Sequence, residues 1–191
     1  MDYKISEIAT ISAGYQSRKA IKNDPDGSHC LLQIRDFNPE RTHIDPSDMI
    51  RLTPTSSNRD ESLRSGDVVF LSRGQKNFAF AVPEFPEPTL AGSYFFVLRP
   101  KQEVTGTYLA WYLNQPAAQY HFKRLSTVGA HMPIVTRDVV ESLKLPIPSM
   151  EIQQKIIKLS ALADEQAQLL AQLAKKKHSL ANAACMHATH L

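Results

Sequence analysis

The hydrophobic pattern divides the chain into two stretches with different periods. Through Pro148, apolar positions come in short runs punctuated by glycine and proline. Cys30–Ile34, Asp67–Leu71, Phe78–Val82 and Ser93–Leu98 read as strands, the second entered through the turn signal Ser65-Gly66. Pro83, Pro86 and Pro88 leave a loop between the last two. Helical spacing runs over Thr105–Asn114, stopped by Pro116, then over Ala117–Leu125 and Thr136–Leu143. Thr136 is a cap-type residue, but Val139 stands where a capping box needs Glu or Gln. Short strands separated by turns predict a curled, barrel-like mixed sheet with short helices, an α+β domain over residues 1–148.

Beyond Pro148 glycine and proline vanish, and alanine, leucine, glutamine and lysine dominate. The spacing predicts one long helix within 149–191. Ser149 is suited to its cap, Glu151 to its first turn, and Lys175, Lys176 and Lys177 to its far half, in keeping with the helix dipole. Ile152, Ile156, Leu159, Ala163, Gln166, Leu170, Leu173, Lys177 and Leu180 alternate at four and three residues, with Gln166 and Lys177 interrupting the stripe. So narrow a seam needs a partner helix, which predicts a coiled coil. The alternative is a helix folded back on its own domain. The clean stop at Leu145-Pro146-Ile147-Pro148 favours the partner.

Composition narrows the class. Apolar residues make up 42% of the 191, enough for a core, and the net charge is +3. That balance suits a polyanionic partner without requiring one. Cys30 and Cys185 are far apart and lack metal-ligand spacing, which fits a reducing cytoplasm. The opening segment has no signal core, and no apolar run reaches the ~20 residues that cross a bilayer. There is no phosphate-binding glycine loop, no GxSxG elbow and no HExxH. His121, His131, His178, His187 and His190 lack ligand partners at zinc spacing. No catalytic residue, metal or cofactor is expected.

The stretch from Thr127 to Ile157 carries the strongest motif. Gly129, Ile134, Leu143, Leu145, Pro146, Ile147, Pro148, Glu151, Gln154 and Ile157 fall in an order that resembles the close of a target-recognition domain in type I restriction–modification specificity subunits. Lys4–Ile8 leading to Ser12-Ala13-Gly14, Leu32–Asp36, Leu63–Val69 and Val97–Pro100 are similar to earlier motifs of that family, in the right order. A typical member carries two such units; one is found here, so the chain resembles a half-size specificity subunit. The resemblance implies a non-catalytic reader of double-stranded DNA that works with methyltransferase subunits, with a restriction subunit as a further partner. Pairing of the long helix with that of a second copy would make a homodimer with a reader at each end, for an interrupted palindrome.

DNA reading needs cations for phosphates and Arg, Lys, Asn or Gln for base edges. Arg73, Gln75, Lys76 and Asn77, in a glycine-containing loop after a strand, are the first candidates; a solvated hairpin loop is the other reading. Gln16, Arg18, Lys19 and Lys22 come next, then Arg35 and Arg41. His131, beside Gly129, lies where the family's domains approach DNA, although a structural role also suits a single histidine. Tyr94, Phe95 and Phe96, and Trp111 and Tyr112, are expected in the core. Two other functions remain: a stand-alone dimeric DNA-binding module without methyltransferase partners, and a small enzyme with its site in the 72–77 loop.

Overall fold

The structure, a computed structural model, describes residues 2–17, 20–54, 61–127 and 132–189. By its internal contacts the chain divides into two units, Met1–Gln153 and Gln154–Leu191. The elements follow in order: β1 (Asp2–Lys4), α1 (Ile5–Ile8), β2 (Ala9–Ala13), β3 (His29–Leu32), β4 (Ile50–Leu52), β5 (Val68–Leu71), β6 (Ala79–Ala81), β7 (Thr89–Ala91), β8 (Phe95–Pro100), α2 (Gly106–Leu113), α3 (Pro116–Leu125), α4 (Arg137–Ser142), β9 (Lys144–Pro146) and α5 (Met150–Ala188). The α+β class is the expected one.

The curled mixed sheet takes the form of two small sheets bridged to each other. One is four-stranded and antiparallel, in the order β2-β8-β5-β6. The other has β3 at its centre, antiparallel to β4 and parallel to β7. They meet where Tyr15 bridges Gly92. Gly14 makes that approach possible, since a Cβ there would stand 2.2 Å from the Gly92 carbonyl oxygen. All four β5 residues are buried, which is why Val68–Leu71 reads as an unbroken apolar run rather than an alternation. Phe78 packs edge to face with both Phe37 and Phe95, at centroid distances of 5.1 and 6.2 Å, and Phe37 lies tilted against Phe95.

Two of the motifs prove to be one interaction. Asp67, from Leu63–Val69, is 2% exposed and accepts both arms of Arg99, from Val97–Pro100, at 2.8 and 2.7 Å. The same carboxylate accepts Arg64 N–H at 2.9 Å, which closes the turn at Gly66, where φ is +86°. A bidentate pair with its remaining oxygen capacity used is the form in which a buried charge is tolerable.

The closing motif is organised in the same way. β1 pairs with β9, so Tyr3 faces Leu145 and the opening of the chain is stitched to its Leu-Pro-Ile-Pro turn. Tyr108 Oη donates to the Pro146 carbonyl at 2.9 Å. Gln153, in the first turn of α5, is fully buried. Its Oε1 accepts from Thr105 N–H at 2.9 Å and from the Thr105 hydroxyl at 3.2 Å. Its Nε2 donates to the carbonyls of Glu103 and Pro148 at 2.9 and 3.0 Å. The motif's glutamine is therefore Gln153, while Gln154 is exposed.

α5 has 39 residues, about 58 Å at 1.5 Å per residue. Its seam is open: Ile152, Leu159, Leu170, Leu173 and Leu180 are between 47% and 72% exposed. Ala163 and Gln166 are exposed with them, and Ile156 is half-buried. Among the described residues no helix is long and apolar enough to cross a membrane.

Removing the Gln153 amide strands one backbone donor and two carbonyls in the interior. Gln153→Ala is expected to lower unfolding free energy by about 2–3 kcal/mol, and Gln154→Ala by less than about 0.5 kcal/mol. Urea titration of the two variants checks this.

Candidate nucleic-acid interface

The loop between β5 and β6 is anchored before it is exposed. Ser72 is buried, and its N–H and Oγ both donate to the Tyr94 carbonyl, at 2.9 and 2.8 Å. The Ser72 carbonyl accepts Val135 N–H at 2.8 Å, Arg73 bridges Ile134, and Gly74 N–H reaches the Pro133 carbonyl at 3.2 Å. The loop therefore lies against the segment that closes the recognition motif. At its far end Asn77 Nδ2 donates to the Leu71 carbonyl at 2.8 Å. Asn114 then grips β6 with its side chain, accepting Ala79 N–H and donating to Ala79 C=O at 2.9 and 2.8 Å. Between these anchors Arg73, Gln75 and Lys76 are exposed.

The sequence candidates lie in several separate places. The Arg73 guanidinium sits 5.7 Å from the Tyr94 ring centroid, and an open cleft of about 240 Å3 is lined by Tyr94, Arg35, Gln33 and Ile21 with apolar Leu31 and Phe95. Ile21 also lines a shallower depression with Lys22, Tyr15 and Ser17. Gln75, Lys76 and Asn77 line a depression of about 330 Å3 with Gln119, Tyr120 and Lys123 of α3. Gln16 is exposed, with its Nε2 3.3 Å from the Gly14 carbonyl. Arg18, Lys19 and His131 lie outside the described residues, as does Gly129.

Arg41 and Asn77 are spent on the framework. Arg41, at φ 61°, donates to the Ile34 carbonyl at 2.8 Å and lies over the Phe78 ring at 5.3 Å. Arg35 stays 59% exposed although its Nε stands 3.6 Å from Asp36. Burial pushes the Asp36 carboxyl above the usual range, and the Gln33 N–H and the Arg35 guanidinium partly counter that.

Two residues were missed in the sequence. Tyr94, expected in the core, is 43% exposed, and Phe95 is buried in its place. Tyr120 is 68% exposed. Its signal was present: Ala118 and Phe122 are the buried positions of α3, and Tyr120 lies between them on the opposite face. Trp111 and Tyr112 are half-buried rather than core.

The anchored, cation-bearing loop beside the exposed Tyr94 is the candidate surface, and comparison with known proteins gives the family in which it occurs. The model of the type I restriction modification DNA specificity domain family matches residues 1–176. The chain belongs to this family. No curated protein matches it by sequence. Among solved structures it is similar to one described under the assembly and conformational transition of the type I restriction–modification system, at 19% identity and a TM-score of 0.65, over 89% of this chain and 39% of that one. It is also similar to the HsdS subunit of Thermoanaerobacter tengcongensis, at 18% identity and TM-score 0.63, over 90% and 39%. The type I S subunit of M. genitalium gives 15% identity and TM-score 0.57, over 91% and 41%. These likenesses establish the fold, and this specificity domain spans about two fifths of each solved relative.

The division between exposed and framework residues has a measurable consequence. Asn77→Ala leaves the Leu71 carbonyl unpaired and is expected to cost about 1–2 kcal/mol of stability. Lys76→Ala is expected to cost less than about 0.5 kcal/mol while weakening DNA binding at low salt. Thermal melts and fluorescence anisotropy on the same preparations separate the two effects.

Proposed function

We propose that the chain is the sequence-reading component of a type I restriction–modification system: a non-catalytic homodimer that reads an interrupted palindrome and brings methyltransferase and restriction subunits to it. The reading is supported most by the exposed Arg73, Gln75 and Lys76 on a loop anchored at both ends, in a domain of the DNA-specificity family. Phosphate contacts from Lys22, Lys76 and Lys123 give affinity, and Arg73 and Gln75 reach base edges. A second copy would supply a reader for a second half-site. The open seam of α5 offers the means: leucines 49–72% exposed at Leu159, Leu170, Leu173 and Leu180 gain from burial against the same stripe of another copy. In an antiparallel pair the two domains lie at opposite ends, and the helix sets the distance between half-sites. Residues 1–148 then form the recognition domain, and 149–191 the spacer and the surface for partners.

Two measurements test this. The chain is expected to give a dimer mass by light scattering at micromolar concentration, and Leu170→Glu a monomer with its helix content reduced but its domain folded. Binding to duplex DNA is expected to weaken with salt on a log–log slope of about −0.9 for each phosphate contacted. A monomeric wild-type chain, or binding indifferent to salt between 50 and 200 mM, contradicts the reading. Co-purification with a methyltransferase separates the specificity subunit from a stand-alone module.

A further inference from the structure

Arg73 is held differently from Arg35, Arg41, Arg51, Arg99 and Arg137. Arg35, Arg51, Arg99 and Arg137 each stand within ion-pair distance of a carboxylate, and Arg41 is bonded to the Ile34 carbonyl. Arg73 makes no ion pair among the described residues; its guanidinium lies over the ring of Tyr94, 5.7 Å from the centroid. Both residues are exposed. The backbones beneath them are locked together, because Ser72 donates from both N–H and Oγ to the Tyr94 carbonyl. On the other side Val135 N–H holds the Ser72 carbonyl, and Arg73 itself bridges Ile134. Immediately after it, Gly74 takes φ +137°, which turns the chain away at a position no side-chain-bearing residue adopts readily.

A guanidinium that rests over an aromatic face and is engaged by no carboxylate keeps its donors available for a ligand. The O6 and N7 acceptors of guanine in the major groove take such a fork, and bidentate arginine is the commonest specific contact there. Fixing the fork beforehand removes rotamer freedom that would otherwise be lost on binding. We propose that Arg73 reads one guanine in the half-site and that Tyr94 is the positioning residue that holds its fork for that contact. This assignment rests on the DNA-reading function proposed above.

The test uses the full chain and the duplex it selects from random sequence. Each guanine of that duplex is replaced in turn by 7-deazaguanine, which pairs normally but lacks the N7 acceptor. Anisotropy is expected to show one guanine per half-site at which the replacement weakens wild-type binding about five- to tenfold. Arg73→Ala and Tyr94→Ala are expected to bind the intact target more weakly and to become indifferent to the replacement there, with sensitivity elsewhere retained. Tyr94→Phe, which keeps the ring, is expected to behave as wild type. Selective binding in which Tyr94→Ala keeps the same deazaguanine sensitivity, or weakens target and random duplex by one common factor, overturns the assignment alone. So does a target without guanine. A chain that prefers no sequence overturns the DNA-reading function and this assignment with it.

Discussion

A buried amide closes the recognition domain. Gln153 offers two donors and an acceptor, and the structure uses all of them on backbone groups of the 103–105 segment and Pro148 and on the Thr105 hydroxyl. Those groups belong to part-buried loop segments outside the strands, and the glutamine supplies the partners that a strand neighbour would otherwise give. The same segment carries Thr105, whose hydroxyl also accepts Tyr108 N–H at the start of α2. α2 in turn ends at Asn114, which holds β6, and β6 ends the loop that bears Arg73. Hydrogen bonds thus run from the first turn of the long helix, through Thr105 and Asn114, to the strand that ends the proposed reading loop.

Much of the fold was legible because burial leaves a pattern. β5, α2 and α3 were read within a residue or two, since their apolar positions follow the period of the element they form. β1, β4, β7 and β9 were not. Each has three residues, and it is their pairing with distant partners, not local propensity, that makes them strands. The two glutamines show the same limit: Gln153 and Gln154 are equivalent in composition, and only the helix phase decides which amide is buried.

The site was partly legible for a related reason. Donor-rich loops are visible in sequence, and Arg73, Gln75 and Lys76 stand where the loop reading put them. Arg41 and Asn77 looked the same, and each donates to a backbone carbonyl, a fact of tertiary structure. Tyr94 was misassigned because three consecutive aromatics, Tyr94, Phe95 and Phe96, were all placed in the core. Phe95 N–H bonds back to the Gly92 carbonyl at 3.0 Å, so Ser93 and Tyr94 form a turn and the strand begins at Phe95. Turns place side chains outward without regard to apolarity, and that is where an aromatic can meet a ligand.

The open helical seam of α5 makes symmetry the centre of this account. The proposed dimer has one kind of reader, used twice, so its target cannot have two different halves. Selection of bound sequences from a pool of random duplexes by the purified chain measures this most directly. The account predicts two inverted copies of one short motif, separated by a gap of fixed length. A single motif without an inverted copy, or two copies at freely varying separation, would contradict it.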